Sequence, residues 1–184
     1  MSSIVVAGDT SGTCTLQAPA VAGSTVLTLP AVSGTVALVV NGPAFSAYSN
    51  VDLSVTSAVI TKVNINTEDF DTASCFDTAL YRFTPTIAGY YQVNAIVSGR
   101  ASTTFTQINA YLYKNGVSIL RSGITAQLTA ASLAKAPIAT LVYMNGSTDY
   151  LELYGAVQGT GGQTFNSVSS ADTSTFSAVM VRSA

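Results

Sequence analysis

Residues 81–97, Tyr-Arg-Phe-Thr-Pro-Thr-Ile-Ala-Gly-Tyr-Tyr-Gln-Val-Asn-Ala-Ile-Val, decide the fold class. After a turn at Ala88-Gly89, the residues alternate in the way that places successive side chains on opposite faces of a β-strand. One face would carry Tyr91, Val93, Ala95 and Val97, and the other Tyr90, Gln92, Asn94 and Ile96. This stretch therefore predicts a strand with one face in a core.

The same chemistry continues along the chain, where Val, Ile, Thr, Tyr and Phe dominate and turn signals recur. Asn115-Gly116 is suited to the positive φ angles of a type I′ turn and predicts a hairpin. Further strands are expected around Tyr143, over residues 150–154 and over residues 176–181. About eight to ten strands with mixed connections predict an all-β fold, a two-sheet β-sandwich of jelly-roll type.

One interval has helical character. Residues 125–136 are rich in alanine, and Pro137 follows them, where it would end a helix. A loop or a strand is the alternative for this interval.

The charge content limits the surface that the protein can expose. Charged residues make up 9% of the chain, against about 25% in an average domain. We therefore expect other subunits to cover part of an apolar surface. A net charge of −2, with seven scattered Lys and Arg residues, excludes nucleic-acid binding. No apolar run approaches the ~20 residues of a membrane span, so membrane insertion is not expected.

Residues 1–42 differ from the rest and form the first predicted domain. Two short strand-proline-turn units follow each other, Thr15-Leu16-Gln17-Ala18-Pro19 and Thr28-Leu29-Pro30-Ala31, and Asp9 is the single charged residue before Asn41. Such a segment cannot bury enough surface to fold alone. A disordered linker is one reading. A β-structure shared among chains or clamped to a neighbouring protein is favoured, with Asn41-Gly42-Pro43 as a hinge.

A series of motifs runs through residues 43–184: Pro43-Ala44-Phe45-Ser46-Ala47, Arg82-Phe83-Thr84-Pro85, Gly89-Tyr90-Tyr91, Tyr113-Lys114-Asn115-Gly116 and the terminal strand from Ser174 to Val179. On these motifs, residues 43–184 resemble the complement globular-head family. It implies a ten-stranded jelly-roll head similar to tumour necrosis factor, and a homotrimer. No collagen-like Gly-X-Y stalk precedes this domain.

The segment that stands in place of a stalk is similar to those at the start of tailed-bacteriophage fibre and appendage proteins. The two resemblances together imply a virion structural protein, a trimeric fibre or decoration appendage made in the host cytoplasm. Residues 1–42 would attach it to other virion proteins, and the knob would project outward. The alternative is a receptor-binding module that adheres to host glycan. A carbohydrate-active enzyme ranks third.

Catalytic chemistry is not expected, and neither is a cofactor. The chain has no histidine, which removes the commonest general base, and it contains no CxxC, Walker or GxSxG motif. Cys14 and Cys75 are expected to be buried free thiols, with a disulfide between them as the alternative. No catalytic, cofactor-binding or metal-binding residue is therefore assigned.

Three sets of residues have an alternative interpretation. The acidic residues Glu68, Asp69, Asp71 and Asp77 are read as a solvated loop, with a calcium site as the alternative. The nine tyrosines are read as core or subunit interface, and the alternative is a surface that stacks sugars. Residues 158–163 are expected to form a flexible polar loop, either a receptor contact at the knob tip or a long connection.

Overall fold

The computed structural model describes residues 3–7, 11–17, 42–129, 133–166 and 172–184, and all their regular structure is β-strand. The chain separates into two compact units, Met1–Leu38 and Val39–Ala184. The domain boundary predicted between residues 42 and 43 stays a prediction. Within the described residues, no helix is long and apolar enough to span a membrane.

The first unit contains one antiparallel hairpin, formed by β1 (Ser3–Ala7) and β2 (Thr13–Gln17). Ile4, Val5 and Val6 of β1 are each more than half exposed. Because successive residues of a strand point to opposite faces, the hairpin presents apolar side chains on both of its faces. A two-stranded hairpin of this kind is marginally stable alone in water.

The second unit is a two-sheet sandwich, and its described residues form eight strands of five or more residues and five shorter ones. The strands are β3 (Ala44–Tyr48), β4 (Leu53–Val55), β5 (Thr61–Lys62), β6 (Thr67–Asp71), β7 (Phe76–Asp77), β8 (Arg82–Phe83), β9 (Gly89–Ala101), β10 (Thr104–Lys114), β11 (Val117–Thr129), β12 (Leu133–Met144), β13 (Leu151–Thr160), β14 (Gln163–Phe165) and β15 (Thr175–Ser183). This architecture confirms the predicted all-β sandwich.

Sheet I has β9 at its centre. Strand β12 pairs with one side of β9, and β15 and β14 pair with the other side; β3 and β6 continue outward from β15, and β4 from β14. Sheet II has the order β11-β10-β13-β8-β7, with β5 also paired to β13. Strands β11 and β12 are consecutive, touch each other, and form the edges of the two sheets on one flank of the sandwich.

The core lies between the two sheets and is centred on phenylalanine. The ring centroid of Phe45 is 4.6 Å from that of Phe76, 4.7 Å from that of Phe83 and 5.1 Å from that of Phe176. Tyr91 packs edge-on against Phe83. Offset and edge-to-face contacts of this kind stabilise aromatic clusters beyond the area that they bury.

The alternation predicted for residues 90–97 is confirmed. Tyr91, Val93 and Val97 are fully buried, and Ala95 is 2% exposed. The opposite set points away from the core. The predicted hairpin is confirmed as well, since β10 and β11 meet at Asn115 and Gly116 with φ angles of 53° and 79°.

The helix considered for residues 125–136 is wrong where the structure describes this interval. Residues 125–129 end β11 and residues 133–136 begin β12. Ala126 and Leu128 alternate with exposed residues and pack against the core, so burial in a sheet overrides the helical preference of alanine. Pro137 lies within β12, an edge strand, where proline is tolerated.

A buried carboxylate fastens the β10–β11 hairpin to the turn before β13. The Asp149 carboxylate accepts a bond from Lys114 Nζ at 2.8 Å, from Asn115 Nδ2 at 2.8 Å and from the Asn145 backbone N–H at 3.0 Å. The bond from Lys114 lowers the pKa of Asp149, and the bond from Asn115 adds to this effect. Burial of the carboxylate acts in the opposite direction but is weaker than the Lys114 bond.

Acid should therefore weaken the fold through Asp149. Its folded pKa lies below its unfolded value, so its stabilisation is complete above the unfolded pKa and is lost as the pH falls through the folded pKa. We expect Asp149→Asn to cost about 1–3 kcal/mol of unfolding free energy at pH 7, and to flatten the loss of stability in acid. Urea unfolding from neutral pH to pH about 3 measures both effects.

Asp52→Asn, at the surface pair with Arg100, is the control and should cost under about 1 kcal/mol. An unchanged pH profile in Asp149→Asn would contradict this role.

Candidate functional site

The outer surface of sheet I carries large apolar side chains that the sandwich leaves uncovered. We call this surface the apolar face, and its members are Tyr90, Leu141, Tyr143, Val179 and Val181. Their exposed fractions range from 44% for Tyr143 and Val179 to 59% for Leu141. Exposed apolar residues occurring singly are ordinary, but a contiguous group marks an interaction surface.

The strand register brings these residues together. Tyr143 pairs with Tyr90, and their ring centroids lie 5.5 Å apart. In the next row, Gln92 of β9 stands between Leu141 of β12 and Val179 of β15. Val181 falls at an irregularity in the pairing of β15 with β9. Three neighbouring strands thus supply one continuous surface.

Strand alternation explains why these residues point outward. In β12, Val142 and Met144 are buried. Leu141 precedes Val142 and Tyr143 lies between the two buried residues, so both face away from the core. A cleft of about 510 Å³ opens on the same surface. It is lined by Tyr90, Leu141, Val181, Arg182, Ser183 and Ala184.

The flank next to the apolar face is apolar too. On the edge strand β11, Val117 is 66% exposed, Ile119 is 45% exposed and Ile124 is 41% exposed. The chain therefore offers two adjoining apolar surfaces, the apolar face and the β11 edge. A partner that covered both would bury eight of the exposed large apolar side chains of the sandwich.

No protein-family model matches the sequence, and no curated protein matches it. Solved structures do match. The globular domain of a zebrafish complement 1qA protein aligns with a TM-score of 0.56 and 14% identity, over 77% of this chain and 99% of that chain. Murine APRIL aligns with a TM-score of 0.57 and 10% identity, over 77% and 100%. Eiger TNF from S. frugiperda aligns with a TM-score of 0.55 and 11% identity, over 78% and 93%.

The chain has the fold of these jelly rolls. At such low identities the likeness establishes the fold alone, and the predicted head fold is confirmed on that basis.

The nine tyrosines of the jelly roll divide among several environments. Tyr91 lies in the core, where burial raises its pKa to about 12. Tyr90 and Tyr143 belong to the apolar face. A third group is half-buried on the outer surface of sheet II and comprises Tyr111, Tyr113, Tyr150 and Tyr154. The expectation of a core position is confirmed for Tyr91, and the expectation of a subunit interface stays a prediction.

The acidic residues do not form the solvated loop that the sequence suggested, because Glu68, Asp69 and Asp71 lie on strand β6 and Asp77 ends strand β7. Their carboxylates do not converge. Asp71 accepts bonds from the backbone N–H groups of Ala73 and Phe76, and Asp77 accepts bonds from those of Ala79 and Leu80. Burial opposes ionisation of Asp71, but these bonds outweigh it and lower the pKa of Asp71. Asp69 accepts the Ser46 hydroxyl. In the part of the chain that the structure describes, no three acidic or thiol side chains form a group that could hold a metal ion.

Cys75 is a buried free thiol. Burial first, and then its bond to the Asp71 carboxylate, raise the pKa of Cys75 to about 12. A thiol with this pKa is a poor nucleophile at neutral pH. The side chain of Cys14 lies outside the described residues.

Residues 158–163 are not the flexible loop that the sequence suggested. Residues 158–160 end β13, Gly161 adopts a φ of 80° in a tight turn, and Gln163 begins β14. The Ser102 hydroxyl accepts the Gly162 N–H at 2.8 Å, which fixes the turn.

Sequence reasoning assigned no site residues and did not identify the apolar face. Two signals pointed towards it, the 9% charge content and the outward tyrosine of the Gly89-Tyr90-Tyr91 motif. Neither could show which outward residues of separate strands become neighbours.

Proposed function

We propose that this protein is a homotrimeric, non-enzymatic structural appendage of a tailed-bacteriophage particle. Residues 1–42 attach it to other virion proteins, and the jelly-roll head projects from the particle. The observation that carries the trimer is the apolar face, whose five large side chains are each more than two-fifths exposed. A chain with only 9% charged residues gains most by burying that surface against copies of itself.

Two different surfaces favour a closed ring over a two-fold dimer. A two-fold interface pairs the same patch on both copies, whereas a ring pairs one patch with another. The apolar face and the β11 edge are two different patches that adjoin each other on one chain. The face of one copy can therefore meet the edge of another copy. Each copy would place its flank against the face of the next. The resemblance of the head to trimeric complement and tumour-necrosis-factor domains supports a ring of three.

The location on a phage particle rests on the N-terminal segment. The amino-acid sequence of residues 15–36, most of which lie outside the described residues, is similar to those of phage fibre and appendage proteins. The described part of this segment, the β1–β2 hairpin, exposes Ile4, Val5 and Val6, which suits an element completed by a neighbour. A ring would display three such hairpins together, so weak individual contacts would add up to firm attachment.

Light scattering of the full chain tests the assembly. We expect three times 18.9 kDa at micromolar concentration, and a stable single chain of 18.9 kDa would overturn the trimer. Antibodies raised against the full chain test the location. They should label purified particles of the phage that encodes it, and labelling of host membranes or cytosol alone would overturn the virion role.

A further inference from the structure

The outer surface of sheet II carries a cluster that neither the core nor the proposed trimer uses. Tyr111 and Tyr113 of β10 lie beside Tyr154 and Glu152 of β13, since Tyr111 pairs with Tyr154 and Tyr113 pairs with Glu152. The ring centroids of Tyr113 and Tyr154 are 4.3 Å apart. We call the rings of Tyr111, Tyr113, Tyr150 and Tyr154 the tyrosine platform.

The platform does not support the core. The residues that alternate with its members, Leu112, Leu151 and Leu153, are the ones that pack inside the sandwich, each at most 1% exposed. The four tyrosines are instead half-buried, with part of each ring open to solvent. Four of the nine tyrosines share this one surface.

Three cations surround the platform. The guanidinium of Arg82 stands 3.8 Å from the ring centroid of Tyr150, and that of Arg121 stands 5.7 Å from the centroid of Tyr111. Lys62, on β5, pairs in register with Tyr154. Positive charge over aromatic faces is favourable by itself, and these side chains are also available to an anionic ligand.

One buried carboxylate holds two of these cations, Lys62 and Arg82. Glu152 Oε1 accepts Lys62 Nζ at 2.7 Å, Arg82 Nε at 2.9 Å and Arg82 Nη2 at 2.8 Å, and the Glu152 side chain is only 4% exposed. Burial opposes ionisation of Glu152, but the two cations outweigh it and lower its pKa. Glu152 Oε2 accepts the Tyr154 hydroxyl at 3.4 Å. The cations are therefore held rigidly and keep some N–H groups free.

Arg121 is the cation best placed to meet a ligand. Its Nε and Nη2 donate to Asn109 Oδ1 at 3.2 and 3.0 Å, a neutral acceptor that orients the guanidinium without neutralising it. Asp77, on the bordering strand β7, is a further carboxylate near this surface, and it is engaged by the Ala79 and Leu80 N–H groups. The surface thus carries more positive than negative charge, in a chain whose net charge is −2.

We propose that the tyrosine platform binds an acidic oligosaccharide. The apolar faces of the sugar rings stack on Tyr113 and Tyr154, and a sugar carboxylate accepts a charge-assisted bond from Arg121. Nucleic acid fits less well, because a phosphate backbone needs many cations and two of these three share one carboxylate. This proposal rests on the head fold. Arg121 lies on β11, which also carries the edge residues of the proposed trimer, but it stands beside Tyr111 on the outer surface of sheet II.

Calorimetry with the full chain tests the proposal, with galacturonate and hyaluronan hexasaccharides as acidic probes and maltohexaose as the neutral one. We expect saturable binding of at least one acidic probe, weaker binding of maltohexaose, and weakening of the acidic probe as salt is raised. Arg121→Gln should weaken the acidic probe about tenfold, as expected for one lost charge-assisted bond. Tyr154→Thr should weaken acidic and neutral probes alike.

Arg100 lies on β9 of sheet I and pairs with Asp52 at the surface. Arg100→Gln is the matched control, because it removes a surface cation away from the platform and should leave binding unchanged. Thermal unfolding of each variant shows whether the head is intact. Absence of binding by both acidic probes, or equal binding of the neutral probe, would overturn the proposal. So would equal losses in Arg121→Gln and Arg100→Gln. None of these results bears on the mass of the assembly.

Discussion

Replacing both Leu141 and Val179 with aspartate should convert an assembly of three times 18.9 kDa into a single chain of 18.9 kDa. The two side chains flank Gln92 in one row of the apolar face and are 59% and 44% exposed in the isolated chain. Burying an unpaired carboxylate at a subunit interface costs several kcal/mol per ion, so two per chain would exceed what the interface gains. Light scattering at micromolar concentration measures the outcome.

The matched control is Val51→Asp. Val51 is 55% exposed, like the residues of the apolar face, but it follows β3 in a loop and lies outside that face. The same chemical change there should leave the mass unchanged. If the Leu141 and Val179 double variant kept its mass, the apolar face would not be the subunit interface. Circular dichroism separates dissociation from unfolding, because a dissociated chain retains its strand signal.

Phe45→Ala should produce the second large effect, a loss of about 3–5 kcal/mol in the free energy of unfolding. Phe45 is 1% exposed and its ring meets those of Phe76, Phe83 and Phe176, so it joins both sheets at the centre of the core. Alanine leaves a cavity that three packed rings cannot close. Guanidinium unfolding of the purified variant measures the change.

Phe70→Ala is the control for this prediction. Phe70 is 51% exposed on the edge strand β6, so its removal opens no cavity and should cost under about 1 kcal/mol. Equal losses in the two variants would show that the aromatic cluster is not the centre of the core. If Phe45→Ala is too unstable to purify, Phe45→Leu is measured in its place. We expect its loss of unfolding free energy to lie near the lower end of the range given for alanine.

The parts of the fold that the sequence predicted are those that depend on neighbours in the chain. Alternation placed Tyr91 and Val93 inside because the period of a strand is two. Asn115-Gly116 predicted its turn because both residues tolerate positive φ. The helix considered for residues 125–136 is wrong because the helical preference of alanine is weaker than the gain from packing Leu128 against the core in a sheet.

The candidate sites depend on register, which a single sequence does not reveal. Leu141 and Val179 are 38 positions apart, and only the pairing of β12 and β15 with β9 makes them neighbours. In the same way, Glu152 meets Arg82 and Lys62 from strands 70 and 90 positions away. The acidic residues 68–77 formed a cluster in the sequence, but the carboxylates of Asp71 and Asp77 accept nearby backbone N–H groups and Asp69 accepts the Ser46 hydroxyl, which spacing alone cannot show.

Pro137 has a consequence for how copies of this protein can join. It lies in β12, whose outer margin is open in the described part of the chain, and proline offers no N–H to a strand arriving there. An incoming β-strand could not form an unbroken ladder along this margin, so endless strand-by-strand stacking is discouraged. At this margin copies are left to associate through side chains, which disfavours an amyloid-like fibril that grows from β12.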